Sequence, residues 1–389
     1  MKIIIAGDTV PTPSNEDLFI HSKAKDLVGE QLYGILRKSD HVICNLETPL
    51  VDDISTPIKK NGPNLHSSTK TVAALKALNI DITSLANNHI MDYGYNGLMS
   101  TIDTLSNCGI QFFGVGEDIS NIKKSILLSN NNVTIGLYAC TENEFSQAKT
   151  DESGANPFDV LSSFDDVMLL KEKCDFVIVL YHGGKEYYRY PSPNLQKYCR
   201  KFIDKGADIV ICQHSHCIGC SEKYREGHII YGQGNFLFDR VNNEFWNEGL
   251  LIEITVEKDK KEVNYIPFIK ENGVIRKADK HKEEEILTSF YHRSNQINDN
   301  RFVEDNYSEF ARRKIGDYLA DLYGKESFLF RGINKLLGNS LRINRIKRKY
   351  NAQQIMKIQN YIQCEAHREL LIKGLQEYIY INKRSSGDE

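Results

Sequence analysis

The chain has 389 residues, with 41% hydrophobic and 26% charged side chains and a formal net charge of −3. That composition excludes a disordered, collagen-like or fibrous protein. No basic excess points to nucleic acid as the partner of the whole chain. No apolar run approaches the ~20 residues that cross a bilayer. Nine cysteines at irregular spacing fit reduced thiols in the cytoplasm better than a secreted disulfide framework.

Lys2 to Ala6 reads as a strand that runs into Gly7-Asp8. His41-Val42-Ile43-Cys44 is a second, ending in Asn45-Leu46-Glu47. Thr69 can cap a helix carrying Val72, Leu75 and Leu78 on one face. Asp81 to Ala86 predicts a strand that stops at Asn87-Asn88-His89. Leu98, Ile102 and Leu105 recur at helical spacing before a stop at Cys108-Gly109. Val133 to Ala139 is another strand. Asp175 to Tyr181 is almost wholly apolar, as a strand covered on both faces should be, and ends at His182-Gly183-Gly184. Asp208 to Cys212 repeats the pattern and ends at Gln213-His214-Ser215-His216. Gly249 to Val256 and Val263 to Phe268 predict a closing antiparallel pair.

From about residue 276 the chain becomes polar, Lys/Glu-rich and helical. Ile355, Ile358, Ile362, Ala366 and Leu370 recur every three or four residues, the pattern of an amphipathic helix. The expected division is residues 1–275 and 276–389. No repeat interrupts either part.

Strand after strand ends in a polar, metal-capable residue. In α/β sheets, ligands bind beyond the carboxyl ends of the strands. Asp8, Glu47, Asn88, His182, His214 and His216 would gather there. Carboxylates, an amide oxygen and imidazoles suit one or two divalent ions such as Mn, Zn or Fe. Glu47 has two oxygens with which to bridge a pair. Two ions ~3.5–4 Å apart can clamp a phosphate and activate water at neutral pH. His214 and His216, two apart, point the same way if the backbone there is extended. His89 beside Asn88 puts an imidazole near the ions, as a general acid for a leaving group requires. Each piece alone also reads as turn or core chemistry; five strand ends in order do not.

These motifs resemble those of a known family. Gly7-Asp8, Asn45-Leu46-Glu47-Thr48-Pro49, the run Asn87-Asn88-His89 through Asp92-Tyr93-Gly94, His182-Gly183-Gly184-Lys185-Glu186-Tyr187, His214-Ser215-His216 and Gly232-Gln233-Gly234-Asn235-Phe236 are similar to the CapA-type poly-γ-glutamate capsule-synthesis proteins. That family is related to the calcineurin-like metallophosphoesterases. The resemblance covers roughly residues 2–270. It implies an α/β fold, a four-layer α/β/β/α sandwich with a helical C-terminal extension, and metals at the strand ends. Carried over by motif, Asp8 and His216 hold one ion, Asn88, His182 and His214 the other, and Glu47 bridges. His89 is the acid, oriented by Asp92. Asn87, Gly183, Gly184, Lys185, Arg189 and Asn235 line the substrate. The implied function is capsule or related polymer biosynthesis, with metal-dependent hydrolysis of a phosphoester or γ-glutamyl amide. Val10 stands where the wider phosphoesterase pattern has a histidine, and Glu47 where it has an aspartate. The first leaves one metal position short of a ligand. It also keeps open an alternative, a non-catalytic polymer-binding or assembly subunit that retains the pocket.

Lys185 and Arg189 suit an anionic substrate; the other reading is a solvated loop with stacked tyrosines. Residues 52–68 are a substrate loop or a plain connection. Cys212, Cys217 and Cys220 flank the histidines and raise a zinc site as a weaker alternative. Arg331, Lys335, Arg342, Arg345, Lys347, Arg348 and Lys349 run without an intervening acid, among leucines and isoleucines. Such a stretch can lie on an anionic membrane surface, grip an acidic polymer, or pack as a helix with a solvated basic face. The C-terminal helices are also candidates for self-association. The expected location is the cytoplasm, with the membrane periphery open.

Overall fold

The computed structural model describes residues 1–54, 56–130, 132–240, 243–258, 260–323, 350–364 and 366–375. It forms two compact units, Met1–Glu304 and Asp305–Glu389. The strands are β1 (Lys2–Thr9), β2 (His41–Leu46), β3 (Ile82–Ser84), β4 (Gln111–Phe113), β5 (Val115–Gly116), β6 (Ser125–Ser129), β7 (Thr134–Thr141) and β8 (Gly154–Ala155). They continue with β9 (Phe176–His182), β10 (Ile209–Gln213), β11 (Ser221–Tyr224), β12 (Gly227–Tyr231), β13 (Glu248–Glu257), β14 (Lys260–Glu271) and β15 (Val274–Lys277). The helices are α1 (Glu16–Ile20), α2 (Ala24–Arg37), α3 (Val72–Ala77), α4 (Gly94–Asn107), α5 (Ser163–Lys171), α6 (Pro193–Asp204), α7 (Lys280–Gln296), α8 (Asn300–Tyr323) and α9 (Ala352–Gln363).

In the first sheet the strand order is β15-β14-β13-β1-β2-β3-β4, and in the second β11-β12-β10-β9-β7-β6. β1 to β4 are parallel, as are β7, β9, β10 and β12. Side chains alternate across a strand, and that period builds the layers. Ile3, Ile5 and Ile43 of the first sheet meet Leu137, Ile178, Leu180 and Ile211 of the second in one core between the sheets. The intervening residues Ile4, Ala6, Val42 and Cys44 face Leu27, Leu32, Leu75 and Leu98 from α2, α3 and α4. Val177, Val179 and Val210 face Phe164, Leu195 and Phe202 from α5 and α6. The result is the expected four-layer α/β/β/α sandwich.

Thr69–Thr71 forms a short 3-10 turn whose N-cap is Ser68 rather than Thr69. The closing pair β13 and β14 is antiparallel, and β13 also pairs with β1. In the stretch read as a polar extension, α7 belongs to the first unit. Its Ile286 and Phe290 are buried against Ile218, Leu250 and Ala278. In the second unit, Ile355 and Ile358 pack with Leu319 and Tyr350. Ile362 and Leu370 are exposed. The basic run from Arg331 to Lys349 lies outside the described residues.

Candidate metal centre

All the parallel strands of both sheets end at one edge, and the site is built there. β1 and β2 pair in register until Ile5, then shift by one residue before Asp8. Such a bulge re-aims the next side chain, and Asp8 turns into the edge, 2% exposed. Gly7 permits this: a Cβ there would sit 2.2 Å from the Gly234 carbonyl oxygen. Glu47 follows β2 and is fully buried. The turn after β3 carries Asn88 and His89. His182 is the last residue of β9.

His214 and His216 follow β10 in a turn, not in extended backbone. Both take positive φ, 81° and 54°. That conformation costs an L-residue roughly 1–2 kcal/mol, and such strain concentrates at functional sites. The two rings take different hydrogen-bonding and ion-pair partners. His214 Nε2 lies 3.1 Å from Glu142 Oε1. His216 Nδ1 lies 2.9 Å from Asn235 Oδ1 and 3.3 Å from Asp8 Oδ2. The extended backbone on which that expectation rested is absent, yet the two ring centroids lie 5.8 Å apart and both rings come within reach of Glu47.

Two groups of buried side chains bring ligand atoms within 4.8 Å of one another: Glu47, His182 and His214; and Asp8, Glu47 and His216. Glu47 belongs to both. Asn88 joins the first, its Oδ1 3.0 Å from His182 Nε2. Both Glu47 oxygens are buried without a hydrogen-bond partner, as is His214 Nδ1. Orphaned buried carboxylate oxygens are costly. This donor set therefore fits a divalent ion, which would satisfy all of them.

The electrostatics agree. Burial pushes the Glu47 carboxyl well above the usual range, and Asp8, Glu186, Asp92 and Glu144 add to the shift. Burial opposes ionisation of Asp8 too, but His216, His182 and the Asn45 amide hold its carboxyl far below the usual range. Burial, helped by His214, holds His182 neutral. His214 is equally buried, yet Glu142 keeps its pKa raised.

His89 Nδ1 lies 2.7 Å from Asp92 Oδ2. Asp92 also accepts from the Leu65 amide at 2.6 Å and from the Lys60 ammonium. Lys60 comes from the 52–68 segment, which the sequence left between a substrate loop and a connection. Its side chain is 2% exposed.

Four residues expected to line the substrate do other work. Asn87 is fully buried; its amide donates to Asn45 Oδ1 and the Leu46 carbonyl, so it holds the turn that presents His89. Asn235 is fully buried behind His216. The Arg189 guanidinium donates to the Ile218 carbonyl and lies over the Phe245 ring, 4.9 Å from its centroid. Gly183 is buried and donates its N–H to the Gln213 carbonyl. Gly184 and the exposed Lys185 sit in the turn after β9. Cys212, Cys217 and Cys220 are buried free thiols; among the described residues none joins a metal-capable group.

Sequence reasoning missed Asn45, Glu142, Glu144 and Lys60. Asn45 Nδ2 donates to Asp8 Oδ1 at 2.8 Å and lies 3.1 Å from His182 Nδ1. Glu142 and Glu144 follow directly after β7, a central parallel strand for which no strand-end residue had been counted. Val10 is part of a wall: with Phe238 and Trp246 it forms a buried apolar cluster beside His216, whose ring centroid lies 5.1 Å from that of Trp246.

The chain belongs to the family described as bacterial capsule synthesis protein PGA_cap, whose sequence model matches residues 2–240. It is 31% identical over 227 residues to the capsule biosynthesis protein CapA of Bacillus anthracis, covering 55% of this chain and 54% of that one. It is 30% identical over 221 residues to the PGA biosynthesis protein CapA of Bacillus subtilis strain 168, covering 56% and 58%. The chain thus matches little more than half the length of these relatives. A solved structure titled a novel phosphatase, from Mycoplasma pneumoniae, aligns at 17% identity and a TM-score of 0.44, covering 70% of this chain and 95% of that one. Among the described residues, no helix is long and apolar enough to cross a membrane.

Proposed function

We propose that the protein is a metal-dependent hydrolase of capsule or poly-γ-glutamate synthesis, acting on a phosphoester or a γ-glutamyl amide. The observation that carries this is Glu47, whose two buried, unpartnered oxygens belong to two metal-capable groups at once. Asn88, His182, His214 and Glu47 would hold one ion; Asp8, His216 and Glu47 would hold another. The apolar wall of Val10, Phe238 and Trp246 offers the second position no further ligand, so the first fills at lower metal concentration. Mn, Zn and Fe all suit these donors. Such ions supply Lewis-acid stabilisation of developing oxyanion charge and water activation at neutral pH.

The chain's own groups do the rest. Asp92 engages His89 Nδ1, so Nε2 is the nitrogen that would face the leaving atom, and it hands over a proton only when the ring is the imidazolium. Burial keeps His89 below its usual pKa against the pull of Asp92. Lys60 balances the Asp92 charge. The intact His89–Asp92 pair favours turnover over a purely binding subunit. Nine free thiols support a reducing, cytoplasmic setting.

The test is elemental analysis of natively purified protein beside His214→Ala, followed by assays on an aryl phosphate and a γ-glutamyl anilide. One to two metal equivalents that fall sharply in the variant, with metal-dependent release from either substrate, are expected. No bound metal after supply of Mn²⁺ or Zn²⁺ refutes the reading.

A further inference from the structure

The turn after β7 brings two carboxylates against the ligands from outside. Glu142 Oε1 lies 3.1 Å from His214 Nε2. Its other oxygen accepts the Gly184 N–H at 3.2 Å, and its own N–H donates to the His182 carbonyl at 3.0 Å. One residue therefore ties together the ends of β7, β9 and β10. Glu144 Oε2 accepts from Asn88 Nδ2 at 2.5 Å. Each contact takes the donor end of a two-ended group. With Nε2–H of His214 committed, the lone pair lies on Nδ1, which is buried and unpartnered. With the amide nitrogen of Asn88 committed, its oxygen is the end that faces His182 Nε2, at 3.0 Å.

We propose that Glu142 and Glu144 are positioning residues that choose which atoms of His214 and Asn88 bind the ion, and so set the affinity of the position they share with Glu47 and His182. The inference rests on the metal reading given above. Carboxylates behind metal-binding histidines fix the tautomer and raise ligand basicity, and their loss typically weakens metal affinity by roughly 10–100-fold. Here the device is doubled, on an imidazole and on an amide.

Glu186 provides the control. It adds negative charge felt by both Glu47 and His214, yet among the described residues no hydrogen bond joins it to His214 or Asn88. The full chain is stripped with chelator, and Mn²⁺ alone is titrated into wild type, Glu142→Ala, Glu144→Ala and Glu186→Ala by calorimetry. Melting of the metal-free variants checks their fold, and Glu142→Gln, which keeps an acceptor oxygen, serves if Glu142→Ala is misfolded. About 10–100-fold weaker binding is expected for Glu142→Ala and for Glu144→Ala. Glu142→Gln recovers part of the loss, and Glu186→Ala changes affinity less than either. A matching shift in the Co²⁺ absorption bands of Glu142→Ala reports the changed His214 geometry. Equal losses in all three alanine variants would mean that only net charge matters and would overturn the proposal. Wild-type affinity in both Glu142→Ala and Glu144→Ala would overturn it while leaving the metal reading intact. Absence of binding by wild type would instead sink that underlying reading.

Discussion

Removing the charge from Glu47 should stabilise the metal-free protein and abolish its response to metal. Both carboxylate oxygens are buried without a hydrogen bond, the neutral His182 ring lies 3.3 Å from one of them, and the charges of Asp8, Glu186, Asp92 and Glu144 oppose ionisation. Without an ion, Glu47 either carries an uncompensated buried charge or takes up a proton at neutral pH. Either route costs free energy that a neutral amide of the same shape escapes. Effective penalties for a buried, unpaired charge run to several kcal/mol. The amide introduced by Glu47→Gln would still be buried and imperfectly bonded, and that returns ~1–2 kcal/mol of the gain. A net stabilisation of about 2–3 kcal/mol remains. For a unit of this size each kcal/mol moves the melting temperature by roughly 2 °C, so Glu47→Gln should melt about 4–6 °C above wild type in chelator. With Mn²⁺ at about 100 times its dissociation constant, wild type gains about 2.7 kcal/mol by mass action, which the variant cannot. The gap should close or reverse. Differential scanning fluorimetry with and without metal measures both. A metal-free Glu47→Gln protein that melts below wild type would refute the argument, because the His182 ring 3.3 Å away would then compensate the carboxylate.

His89→Ala should lower turnover of any hydrolysed substrate by roughly 10²–10⁴-fold while Mn²⁺ affinity stays near wild type; a parallel loss of metal would assign His89 to the ligands instead. Gly7→Ala should destabilise by about 3 kcal/mol, since its Cβ would press on the Gly234 carbonyl 2.2 Å away; urea melts decide, and a neutral result would show that the β1 bulge relaxes freely. His228 is pushed down to about 4 by burial and by Lys223 and Lys261. A buried neutral histidine stabilises fully above its unfolded pKa of 6.5 and loses that contribution as pH falls towards 4. Wild type should therefore lose about 2 kcal/mol between pH 7 and pH 5 from this group, and His228→Gln should flatten that part of the profile. Identical profiles would show that the site relaxes on protonation.

The sandwich was legible because its strands are apolar on both faces and end in chemistry. Parallel strands covered by a second sheet and by helices read as unbroken runs, and Val177 to Tyr181 is such a run. Helix α2 was not legible. It is kinked at Gly29, with φ 72°, so its apolar spacing breaks mid-helix. The ligands were legible because imidazoles and carboxylates after strands are few. Their supports were not. Asn45 looks like strand polarity, and Lys60 like a loop charge. Glu142 and Glu144 gain meaning only when β7 lands between β6 and β9. Asn87, Asn235 and Arg189 were assigned to substrate because a motif gives residue types and not the direction of a side chain. Burial reassigns Asn87 and Asn235, and the Ile218 carbonyl reassigns Arg189.

The pairing of β1 with β13 has a consequence for how the chain is made. Residues 2–5 zip against residues 252–255, so one edge of the first strand has no partner until the ribosome has added some 250 further residues. At roughly 5–20 residues per second, that edge waits on the order of 10–50 s. During that wait Ile3, Ile4 and Ile5 form an apolar strand with open backbone donors and acceptors, the kind of template on which nascent chains aggregate. The PGA_cap match ends at residue 240, short of the strand that covers this edge. A segment cut at the family boundary would keep every proposed ligand and still expose the same unpaired strand.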